Sequence, residues 1–158
     1  MSRAAVLGLC SVSLLLFAAP AGAKQARPEV FLTIRLVSKT QSSRVVDRAP
    51  KHEINKGDVV YALSFLYNQA AQFGRPKGAL VGYDRALDTF LSRTRARVSV
   101  QVTLPDGGLK LAGEVSRTTA PVIRVVGGTG RYAHVRGTCS ERDPKNGPAI
   151  NVYRLQLP

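Results

Sequence analysis

The chain has 158 residues, 44% hydrophobic and 21% charged, the balance of a single globular domain and not of a disordered chain. Lys and Arg number 23 against 10 Asp and Glu, a formal charge of +13. With 14 Gly, 9 Pro and no Trp the composition suits short strands joined by turns. Two cysteines and two histidines, with no Cys-x-x-Cys, exclude a closed structural zinc site and a disulfide scaffold, and no metal or cofactor is expected.

Arg3 precedes an uncharged run from Ala4 to Ala19, and Ala21-Gly22-Ala23 is the small-x-small pattern after which signal peptidase cuts. Residues 1–23 are therefore expected to be a cleaved signal peptide, and residues 24–158 a single exported domain. As a membrane anchor the run is marginal, since it ends at Pro20 and a hydrocarbon core is about 30 Å thick. Arg3 is the only charge in the leader, so the exported domain keeps a formal +12. Its one cysteine, Cys139, cannot form an internal disulfide.

The rest of the chain reads as strands. From Ala96 to Leu104, Ala96, Val98, Val100, Val102 and Leu104 alternate with Arg97, Ser99, Gln101 and Thr103, the period of a half-buried strand. Pro105-Asp106-Gly107-Gly108 then predicts a turn, and alternation resumes from Leu109 to Ser116, which makes a hairpin. Similar runs span Val30 to Ser38, Asp58 to Tyr67, Gly78 to Arg85, Pro121 to Val126, Tyr132 to Glu141 and Ile150 to Leu157. Eight short strands predict an all-β antiparallel barrel or sandwich. Two connections are long: Lys39 to Gly57, which is polar, and Asn68 to Lys77. Long loops are either functional rims or plain surface.

Gly128-x-Gly130-x-x-Ala133 superficially matches a dinucleotide fingerprint. The residues after it alternate as a strand, and the acidic residue needed about 20 positions on is missing. Gly127, Gly128, Thr129 and Gly130 are instead expected to form a tight turn between two strands.

Around this turn, Val125-Val-Gly-Gly-Thr-Gly-Arg-Tyr-Ala-His-Val-Arg-Gly137 resembles the signature of dirigent proteins and of their bacterial relatives in the allene oxide cyclase barrel superfamily. The resemblance implies an eight-stranded antiparallel barrel, commonly oligomeric, with a largely apolar interior. Dirigent proteins steer the stereochemistry of a reaction without carrying out its oxidation, and allene oxide cyclases isomerise a fatty-acid epoxide. Both use carboxylates in the cavity, one of them on the first strand, where this chain has Thr33-Ile-Arg-Leu-Val-Ser38 and no acid. A further dirigent acid after Gly-Thr-Gly is replaced by Arg131, whereas Arg136 matches the arginine of the motif.

Each candidate has two readings. Arg136 would meet developing negative charge on a ligand if it entered the cavity, yet its alternation with Val135 and Gly137 points it outward, together with His134. Tyr61, Tyr83 and Tyr132 either line a cavity, where a ring with a hydroxyl is useful, or simply pack. Arg124 interrupts Val122-Ile-Arg-Val-Val126 and would need an acid or a ligand if it were buried. Cys139 has the parity of a core residue, and Asp58, Asp84 and Glu114 are acids within predicted strands. The arginine stripe Arg93, Arg95 and Arg97 lacks interleaved aromatics, which argues against specific nucleic-acid binding and leaves weak polyanion binding. The sequence thus leads to a secreted, dirigent-like barrel that binds a small apolar, phenolic or fatty-acid-like ligand and steers its reaction without redox chemistry. The alternatives are an isomerase or cyclase of the allene oxide cyclase type, and a non-catalytic structural module of the cell exterior. An acid facing the cavity would favour the isomerase; a filled barrel would favour the structural module.

Overall fold

A computed structural model describes residues 29–48, 53–142 and 147–158. The expected signal peptide lies outside them. Eight strands follow one another along the chain: β1 (Val30–Val46), β2 (Val59–Asn68), β3 (Leu80–Phe90), β4 (Arg95–Leu104), β5 (Gly107–Ser116), β6 (Val122–Gly130), β7 (Arg136–Arg142) and β8 (Ala149–Leu157). Each pairs antiparallel with its sequence neighbour, and β1 pairs with β8, so the sheet closes into the eight-stranded barrel expected from the sequence. Closure joins the first and last strands, which would otherwise both be free edges, and eight strands leave an interior just wide enough for side chains or one small ligand.

Inward positions differ between the two ends. At one end Ile34, Leu36, Leu66, Val102, Leu104 and Leu155 are all buried and fill the lumen, with Tyr132 inserted among them at 0% exposure. Toward the other end the inward residues become small or polar, with Ala62, Ser64, Asp84 and Asn151 in place of large aliphatics.

The strands depart from their expected bounds for identifiable reasons. β1 runs on to Val46, because Lys39 to Val46 stay paired with β2 after β8 has ended opposite Ser38. Every residue from Lys39 to Val46 is exposed, so no buried face wrote an alternation there. β3 continues past Arg85 to Phe90, and its inward Asp88 hid the period. The hairpin turn is only Pro105-Asp106, since Gly107 and Gly108 already pair with Leu104 and Thr103.

The two long connections are tied to the wall by polar side chains. Asp58 accepts from the backbone N–H groups of Arg48 (2.8 Å) and Asn55 (2.7 Å). The Asn68 amide donates to the carbonyls of Gln72, Arg75 and Pro76. Gln72 in turn brackets the Arg35 backbone, accepting from its N–H and donating to its carbonyl.

The glycine motif is displaced from its expected role. Gly127 to Gly130 are not the turn: they pair with Lys110 to Gly107 as the end of β6, and the chain reverses over Arg131 to His134. A Cβ on Gly128 would stand 2.3 Å from the Tyr132 carbonyl oxygen and 2.7 Å from that of Gly108, so glycine is required by crowding between backbones. Gly127 has nothing within 4 Å of the same position. Gly128→Ala is therefore expected to lower the unfolding free energy by more than about 2 kcal/mol, with Gly127→Ala close to neutral. Equal effects in paired denaturant melts would contradict this packing.

Candidate ligand site inside the barrel

The polar end of the lumen encloses a cavity of about 300 Å³, at the small end of the range for ligand pockets. Its polar lining comes from opposite sides of the wall. β3 contributes Asp84 and Asp88, four residues apart and thus on one face of the strand. β7 contributes Cys139 and Glu141, and β8 contributes Asn151 and Tyr153. Val100, Leu111 and Ile123 supply an apolar side, and Thr40, exposed while lining the space, marks where it meets solvent.

Register explains how these groups meet. Ser64 on β2 lies opposite Asp84 and hydrogen-bonds its carboxylate. Cys139 lies opposite Tyr153, and Glu141 opposite Asn151. The Tyr153 hydroxyl donates to Cys139 Sγ and accepts from the Asn151 amide, both side chains pointing into the lumen. Asp84, at 6% exposure, is pushed up from 3.8 to about 6 by burial, against a smaller opposing effect of the Ser64 hydrogen bond. Burial also raises Asp88. The Cys139 thiol is pushed up to about 12, first by burial and then by Glu141, so it stays protonated and is not a nucleophile near neutral pH. The charge of Asp84 acts on both Cys139 and Tyr153, so the carboxyl of β3 faces the β7–β8 pair across one space.

None of the ligand-site residues expected from the sequence lines this cavity. Arg136 is exposed on the outer wall beside His134 and Gln156, because the inward positions of β7 go to Cys139 and Glu141. Arg124 is also exposed, with Ile123 and Val125 turned inward on either side of it. Tyr61 stands outside at 49% exposure, and Tyr83 lies on the outer wall under the Arg85 guanidinium, 5.5 Å from its ring centre. Tyr132 is inside but belongs to the packed end. Among the expected acids, Asp84 alone enters the cavity. Asp58 holds a loop, and Glu114 is exposed, bridging Arg95 and Arg97 with its carboxyl lowered by both. The residues that sequence reasoning missed are Asp88, Glu141, Asn151 and Tyr153. Glu141 shares the parity of Cys139, which was signal enough to place it inside.

The closed eight-stranded barrel is a fold shared with dirigent proteins. Among solved structures the chain is similar to a pyocyanin demethylase, at 20% identity and a TM-score of 0.65 over 78% of this chain and 99% of that one. It is similar to a pterocarpan synthase dirigent protein at 20% identity and a TM-score of 0.59, over 84% and 87% of the two chains. A heme-binding cyclase that catalyses a cycloaddition during neoabyssomicin biosynthesis gives 18% identity and a TM-score of 0.61, over 84% of this chain and 65% of that one. No family model and no curated protein matches the sequence.

The raised carboxyl has a consequence for stability. Between about pH 4 and about pH 6 the folded protein retains a proton on Asp84 that the unfolded chain releases, so stability falls as pH rises through this window and the loss is complete above it. The interval corresponds to about 3 kcal/mol at most. Asp84→Asn, neutral at every pH, is expected to gain on the wild type by up to that amount, about 3 kcal/mol, between melts at about pH 4 and about pH 7. A difference that does not change with pH would contradict the assignment.

Proposed function

We propose that this protein is an exported barrel that binds a small, mostly apolar molecule in its interior cavity and steers that molecule's reaction through the cavity carboxyls. The observation that carries the reading is the buried Asp84 carboxyl in a 300 Å³ space with an apolar side. A ring would rest on Val100, Leu111 and Ile123, and its hydrogen-bonding group would meet Asp84. A carboxyl at about 6 can accept a proton from a bound group and return it, as general acid–base chemistry near neutral pH requires. The same acids favour the isomerase or cyclase reading over a purely structural module, which a filled barrel would have supported. Fatty-acid-like ligands fit poorly, because their carboxylate would face Asp84, Asp88 and Glu141. The heme-binding and cyclase activities of similar barrels concern those proteins and lend the reading only the precedent of a reactive interior.

Export follows from the leader, and self-association from the outer face of β2 and β3, where Tyr61 and Leu87 remain exposed. Weak polyanion binding loses part of its basis, since Glu53 pairs with Arg93 and Glu114 with both Arg95 and Arg97.

The test uses the protein recovered outside the cell, whose N-terminal sequence is expected to begin at Lys24, with p-cresol as the probe. Binding is expected to shift the NMR signals of the Leu111 and Ile123 methyl groups. It should be lost in Ala86→Phe, which fills the cavity, and be unchanged in Arg136→Ala. A folded Ala86→Phe that binds as the wild type does, or a loss confined to Arg136→Ala, would move the site to the outer wall and end the proposal.

A further inference from the structure

The cavity contains more acceptors than donors. Asp84, Asp88 and Glu141 line it, and among the described residues no Lys, Arg or His does. Arg85, Arg142 and Arg154, which neighbour the lining residues in sequence, are exposed on the outer wall, as strand alternation requires. Of its own donors, the Ser64 hydroxyl is on Asp84, the Asn151 amide is on Tyr153 and the Tyr153 hydroxyl is on Cys139, while the hydroxyls of Ser38 and Thr40 line the β1 side of the space.

Two acceptors are left over. Among the described residues, Oδ1 of Asn151 and Oδ1 of Asp88 are buried with no hydrogen-bonding partner, and Asn151 as a whole is 6% exposed. An amide oxygen can only accept, as can an ionised carboxylate, and a buried acceptor without a donor costs stability. The group that answers both must donate hydrogen bonds, and beside the carboxyls of Asp84 and Asp88 it is favoured if it carries positive charge. A metal ion does not match. Among the described residues no three His, Cys, Asp or Glu side chains come together closely enough to hold one. The acceptors are instead distributed over β3 and β8, as several N–H donors on one nitrogen centre would use them.

We propose that the cavity is a site for a small organic cation, a primary or secondary ammonium on an apolar body. Its N–H groups meet the carboxyls of Asp84 and Asp88 and the Oδ1 of Asn151, while its apolar body lies against Val100, Leu111 and Ile123. This rests on the reading of the cavity as a ligand site and adds the chemical class of the ligand.

Three probes with the same ring separate the two claims: benzylammonium, benzyl alcohol and benzoate, each titrated while the Leu111 and Ile123 methyl signals are followed. Benzylammonium is expected to bind at least about tenfold more tightly than the alcohol, the scale of one charge-assisted contact, with benzoate weakest. Asp84→Asn and Asn151→Leu should each bring benzylammonium to the level of the alcohol, and Asn151→Asp should tighten it. If Asn151→Leu does not fold, Asp84→Asn and Asn151→Asp decide the matter. Benzoate or the alcohol binding as tightly as benzylammonium, or a preference that survives Asp84→Asn, would overturn the cation assignment and leave the cavity reading intact. If none of the three moves the cavity methyls, the cavity reading fails as well.

Discussion

The pairing of β1 with β8, from Val30 opposite Leu157 to Ser38 opposite Ala149, is the constraint on which the rest depends. It closes the sheet, and wherever the barrel is closed each strand's residues divide into an inside and an outside. An eight-stranded lumen is narrow enough that large aliphatics fill it, as Leu36, Leu66 and Leu155 do at one end. A cavity exists only where the inward residues are kept small or polar, as Ala62, Ala86, Ser64 and Asn151 are at the other.

That division also sorts the charges. Among the described residues every Lys and Arg is exposed, while Asp84 and Asp88 of β3 and Glu141 of β7 point inward. Burying a carboxyl without a cationic partner is unfavourable and raises its pKa instead, which accounts for Asp84. The packed end and its Tyr132 plug supply stability that the polar end does not.

The barrel itself was legible because most strands alternate cleanly and are punctuated by Gly, Pro and Asn; the β4–β5 hairpin is the clearest case. The site was not, for two physical reasons. Where a wall faces a polar cavity, inward positions lose their apolar mark: Asp88 and Asn151 look like surface residues in the sequence, and β3 was cut short for that reason. Resemblance drew attention to Arg136 and the glycine motif, yet alternation alone had already pointed Arg136 outward, and the structure sides with alternation. The glycines are explained by crowding at Gly128 between the Gly108 and Tyr132 backbones, a contact between segments distant in sequence that no local pattern reveals. Of the two readings of Tyr132, lining a cavity or packing, the second holds, because it sits in a turn that carries it into the packed end.

The central claim is that the chemistry of this protein resides in a buried carboxyl inside the barrel and not in the arginine of the motif. Titration of the Asp84 carboxyl carbon by NMR, assigned by its loss in Asp84→Asn, tests this most directly. The account requires a midpoint near 6, unmoved by Arg136→Ala. A midpoint near 3.8, the value of a solvated carboxyl, would mean that Asp84 is not held in a water-poor cavity and would contradict the account.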